Sequence, residues 1–80
     1  MPAQAPPAPG LGARLRDARN ALGLSTADVG ELVGVHQTTV SAWERGNQKS
    51  SIPRHSRKLA ATLGLEEETI RRLWWDEMGR

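Results

Sequence analysis

The 80-residue sequence has no cysteine, phenylalanine or tyrosine, and its only aromatic side chains besides two histidines are three tryptophans. Without cysteine there is no disulfide framework and no zinc–thiolate site, and the chain is compatible with a reducing cytosol. No apolar run approaches the roughly 20 residues that a membrane-spanning helix needs. The N-terminus lacks the basic-then-apolar layout of a signal peptide. Also missing are a Gly-rich phosphate loop, a G-x-S-x-G nucleophile motif and a set of metal ligands around His36 or His55. An enzyme is therefore not expected, nor a cofactor, a metal, a small-molecule ligand or a membrane partner. The expected setting is cytoplasmic, and 80 residues suggest one domain with a modest core.

What is present is charge, unevenly spread. The formal net charge is only +2, yet Leu11 to Thr62 holds eight Lys and Arg against four acids, while Leu63 to Arg80 holds three against five. A basic excess confined to one part of a chain suits a phosphate-facing surface. Before it lies MPAQAPPAPG, residues 1–10, with no charged side chain and no large apolar residue after Met1. Such a tract buries too little surface to offset its ordering entropy, and it is expected to be a flexible arm ahead of a domain spanning 11–78.

The domain is organised around Ser25 to Gly46, STADVGELVGVHQTTVSAWERG. Val29, Leu32 and Val33 precede Gly34, and Val40 and Trp43 follow it, at helical spacing. Ser25 is placed to cap the first of these helices, with Asp28 favourable at its positive end. Gly34 can take the left-handed conformation that ends it, and His36 stands at the cap of the second. A helical wheel leaves Gln37, Thr38, Ser41, Ala42 and Arg45 on the face opposite Val40 and Trp43.

The stretch resembles the DNA-binding helix-turn-helix of the lambda-repressor and Cro family, also called the XRE family. LGARLRDARNALGLS before it is similar to the family's first helix. Glu44-Arg45-Gly46, a loop to Pro53 and LAATLGL after it are similar to the third-helix ending and the fourth helix. The resemblance implies an all-α, five-helix fold that binds double-stranded DNA and regulates transcription. In the family Arg19 would pair with Glu44 as a clamp between helices, and Thr26 would face a phosphate. Gly30 stands where the family usually has Ala, a small residue where two helices cross.

The third helix, 37–45, carries the functional expectation. Gln can bond adenine N6 and N7 together, and Thr or Ala can touch a thymine methyl, so Gln37, Thr38, Ser41 and Ala42 are the candidate base contacts. Arg45, Asn47, Lys49 and Arg54 are suited to phosphates, with Thr26. Residues 47–52 are read as a loop, and the fourth helix as starting near Pro53 and burying Leu59, Ala60 and Leu63. In the fifth helix Ile70, Leu73, Trp74 and Met78 form an apolar stripe, with Trp75 off it. Leu73, Trp75 and Met78 are the candidate surface of a weak homodimer. The rival reading is an antitoxin-like or adaptor module that uses the same fold to bind protein. A structured-RNA binder is disfavoured by the lack of an aromatic stacking platform.

Overall fold

The computed structural model describes residues 10–78. Five helices follow one another: α1 (Leu11–Ala21), α2 (Thr26–Val33), α3 (Gln37–Glu44), α4 (Ser56–Leu63) and α5 (Glu67–Met78). Among the described residues there is no strand. Two single turns of 3-10 helix, Lys49–Ser51 and Pro53–His55, lie between α3 and α4. The fold is thus the all-α, five-helix arrangement anticipated. Residues 1–9 of the Pro- and Ala-rich arm lie outside the described residues. Gly10, counted with that arm, is instead the N-cap of α1, its carbonyl accepting from Arg14 N–H at 3.0 Å.

Local chemistry fixes the helix ends. Ser25 Oγ accepts from Asp28 N–H at 3.0 Å while Asp28 Oδ2 accepts from Ser25 N–H at 2.9 Å, a reciprocal capping box. Gly34, at φ 91°, ends α2 in the left-handed region, where any Cβ is strained. His36 then caps α3, its Nδ1 accepting from Thr38 N–H.

The helices close over Leu11, Leu15, Val29, Val33, Val40, Trp43, Ile52, Leu59, Leu63 and Ile70, all nearly inaccessible to solvent. Leu24, Val35, Leu65, Leu73 and Trp74 pack around that core. Two helical glycines allow the closest approaches. A Cβ on Gly30 would stand 2.6 Å from the Val35 carbonyl oxygen, and one on Gly12 equally close to those of Trp43 and Glu44. Even the Ala usual at the Gly30 position in the family would therefore need the backbone to shift.

Some expectations change once the helices are packed. Leu32, assigned to the apolar set of α2, is 58% exposed. The crossing with α3 at Gly30 turns the buried arc of α2 toward Val29, Gly30 and Val33, leaving Leu32 about 60° outside it. Leu22, the C-cap residue of α1, is also on the surface. The stretch 47–52 is more than a loop, because Ile52 enters the core and one helical turn precedes it. Pro53 opens a 3-10 turn rather than the fourth α-helix, which starts at Ser56. Leu59, Ala60 and Leu63 are buried as anticipated. In α5 the stripe stops early: Ile70 is buried, Leu73 and Trp74 partly so, and Met78 is exposed.

Candidate nucleic-acid interface

The entry to α3 is its most open part. Gln37 and Thr38 are exposed and Ser41 is half-buried, while Val40 and Trp43 on the same helix lie in the core. Ala42 departs from the expectation: it is buried, so its methyl is not offered to a base. The exit turn folds back on this part of the helix, with Asn47 N–H donating to the Ala42 carbonyl at 2.7 Å. Thr26 is half-buried at the start of α2, beside the capping box. Asp28 there lies below its ordinary carboxylate range because it accepts first from the Ser25 backbone N–H and then from its hydroxyl.

The exit of α3 is tied down from several directions. Arg19 Nε donates to Glu44 Oε2 at 2.6 Å and Nη2 to Oε1 at 2.9 Å, a bidentate pair with side chains 15% and 8% exposed. Arg19 Nη1 also donates to the Leu24 carbonyl at 3.0 Å, so one guanidinium joins α1, the turn into α2 and the end of α3. The bonds to Glu44 raise the Arg19 pKa above its already high ordinary value. Trp43 Nε1 donates to Ser51 Oγ at 2.9 Å, and Trp74 Nε1 to the Lys49 carbonyl at 2.6 Å. Two indoles thus hold the stretch that follows the helix.

The expected phosphate-binding residues fare differently from one another. Arg45, Asn47 and Arg54 are exposed, and neither arginine has an ion-pair partner among the described residues. Lys49 is half-buried, and its Nζ lies 2.8 Å from Glu77 Oε1. That carboxylate also accepts from Leu11 N–H at 2.5 Å, capping α1 from the far end of α5. Burial would push the Glu77 carboxyl up, but the bonds from Lys49 and Leu11 outweigh it and hold the group below its ordinary range. Glu77, Gly12 and Ile52 were not singled out from the sequence. A glycine inside a helical pattern is a signal for close packing, so Gly12 was open to that reading. Glu77 sits 28 residues from Lys49, and no local pattern marks the pair.

Of the candidate dimer residues, Leu73 packs partly against the core, while Trp75 is 66% and Met78 43% exposed. Trp75 borders a groove of ≈ 580 Å³ shared with Ile52, Pro53, Ile70, Arg71 and Trp74. The groove belongs to α5 and the turn ahead of α4, not to the open entry of α3.

A family model described as a helix-turn-helix domain matches residues 10–73, most of the chain. The chain belongs to the helix-turn-helix domain family. Within it the five-helix order and the Ser25 to Gly46 unit are of the lambda-repressor and Cro kind. At a coarse level this helix-turn-helix protein is a DNA-binding regulator, of a family that is typically not enzymatic. No curated protein and no solved structure matches it. Among the described residues no helix is long and apolar enough to cross a membrane, and no group of three His, Asp or Glu side chains is placed to hold a metal ion.

Proposed function

We propose that this protein binds duplex DNA in a sequence-specific way and regulates transcription as a small Cro-like or repressor-like protein, with residues 11–78 as the DNA-binding unit. The observation that carries the reading is the division of α3: Gln37 and Thr38 stand free at its entry, while the Arg19–Glu44 fork and the buried Trp43 hold its exit rigidly. A short helix presented in this way can enter the major groove with its N-terminal side chains against base edges. Gln37, Thr38 and Ser41 read bases in this proposal. Arg45, Asn47, Arg54 and Thr26 meet the sugar-phosphate backbone, which fixes register without reading sequence. The reading places the protein in the cytoplasm, on the nucleoid.

One recognition helix reads few base pairs, so a single copy has little margin over non-specific DNA. The proposal therefore includes a weak two-fold dimer through Trp75 and Met78, setting two recognition helices about 34 Å apart, one turn of DNA. The same exposed tryptophan and its groove are what favour the second reading, an antitoxin-like or adaptor module that docks a protein. Selection of bound sites from random duplex DNA separates the two. An enriched motif that changes in Gln37→Ala supports base readout, and no enrichment at low salt favours the protein-binding module. Sedimentation across a concentration series, with and without Trp75→Ala, tests the dimer: a monomer throughout, one copy per non-palindromic site, removes it.

A further inference from the structure

At the entry of α3 one nitrogen serves two hydrogen bonds. His36 Nδ1 lies 3.1 Å from Thr38 N and 3.0 Å from Thr38 Oγ1, with both residues exposed. A backbone amide always carries its proton, so Nδ1 is the acceptor of that bond and is itself bare. A neutral imidazole with a bare Nδ1 holds its proton on Nε2. It follows that the only proton able to lie between Nδ1 and Oγ1 is that of the Thr38 hydroxyl. In making that contact the hydroxyl shares the one Nδ1 lone pair with the amide, points its proton back at His36 and has only lone pairs to offer outward.

We propose that His36 sets the hydrogen-bonding polarity with which Thr38 meets DNA, making a side chain that could donate or accept into an acceptor alone. The inference rests on the reading of α3 as the base-reading helix and sharpens it. In the major groove the donors are the exocyclic amines, N6 of adenine and N4 of cytosine, whereas guanine O6 and thymine O4 are acceptors. Thr38 held in this way selects adenine or cytosine and meets guanine or thymine with lone pair against lone pair. His36 acts through Thr38 and is a positioning residue.

Two measurements test this. On the free full-length chain, nitrogen-detected NMR of the imidazole reads the tautomer: the proton belongs on Nε2, and a proton on Nδ1 in the neutral ring overturns the assignment. Selection from random duplex DNA is then run on the wild type, Thr38→Val, His36→Gly and His36→Asn. Glycine is tolerated at a helix N-cap and leaves the Thr38 hydroxyl free to turn, while asparagine restores both the cap and an acceptor for that proton. At the base pair whose preference Thr38→Val alters, the wild type should prefer the natural base over the same base lacking its exocyclic amine, purine for adenine or 2-pyrimidinone for cytosine, by about fivefold or more. The preference should fall to within about twofold in His36→Gly and return in His36→Asn. Wild-type binding that does not change when that amine is removed, or an unchanged preference in His36→Gly, overturns the proposal. A wild type that enriches no motif at all overturns the base-reading role of α3, and this inference falls with it.

Discussion

The two ends of α3 are only seven residues apart and are built on opposite terms. At the entry, Gln37 and Thr38 have exposed side chains, and among the described residues no side chain from another helix hydrogen-bonds to them. At the exit, Trp43 is fully buried, Glu44 is gripped by Arg19, and the following residues hang from two indole N–H groups. One end can vary at little cost to the fold, and the other cannot. About two turns of helix therefore separate specificity from stability, which are merged at most buried sites.

Substitutions at the exit should show the largest effects. Trp43→Ala removes the largest fully buried side chain and the Ser51 bond, and a cost of about 3–5 kcal/mol would leave the domain largely unfolded in urea titrations. Glu44→Ala strands the Arg19 guanidinium in a partly buried setting and should cost about 2 kcal/mol. Replacing Arg19 and Glu44 together by Met and Leu should cost less than that, and a double-mutant cycle showing no coupling would place both charges among ordinary surface pairs. At the entry the pattern reverses. Gln37→Ala should leave the urea midpoint within about 0.5 kcal/mol of wild type while discrimination at one base pair falls by about 1–3 kcal/mol, read by competition binding. A large loss of stability there would end the contrast.

Smaller effects sharpen it further. Arg45→Ala should flatten the dependence of DNA affinity on salt by about one unit of slope. Lys49→Ala should do less, because Glu77 already matches its charge. Last comes pH. His55, tilted against Trp43 with ring centroids 5.7 Å apart, is held below its ordinary 6.5 by burial and then by Arg54 and Lys58. Glu77 is likewise below 4.5. Both groups bind fewer protons folded than unfolded. Stability should thus be complete above about pH 6.5, decline as pH falls through the folded His55 value, and decline again in the carboxylate range. Thermal melts of His55→Gln should lose the first decline and those of Glu77→Gln should weaken the second.

How much of this was legible in the sequence depends on the distance over which each feature is decided. The caps at Ser25, Gly34 and His36 are settled within three residues, and the sequence announces them. Arg19 and Glu44, 25 residues apart, were visible only through the family resemblance, and the structure brings them together. Ala42 and Leu32 were misassigned because a helical wheel states which residues share a face but not which face the neighbouring helix will cover. For Leu32 that choice is made at Gly30, where α3 crosses. Ile52 gave no periodicity because it is one apolar residue in a polar stretch. Lys49 was assigned to phosphates on charge alone, and only the packing of α5 supplies Glu77.

The three tryptophans occupy three different surroundings: Trp43 has no exposure, Trp74 is partly covered with its N–H bonded, and Trp75 is 66% open to water. With no tyrosine to add background, the chain carries its own set of optical reporters. A dissolved quencher should reach Trp75 first and Trp43 last. Shielding of the outer tryptophan with rising concentration would report association through α5, while the emission of the inner one tracks the integrity of the core at the exit of α3. One unlabelled sample thus yields separate signals for assembly and for folding, at the two places where this small domain keeps them apart.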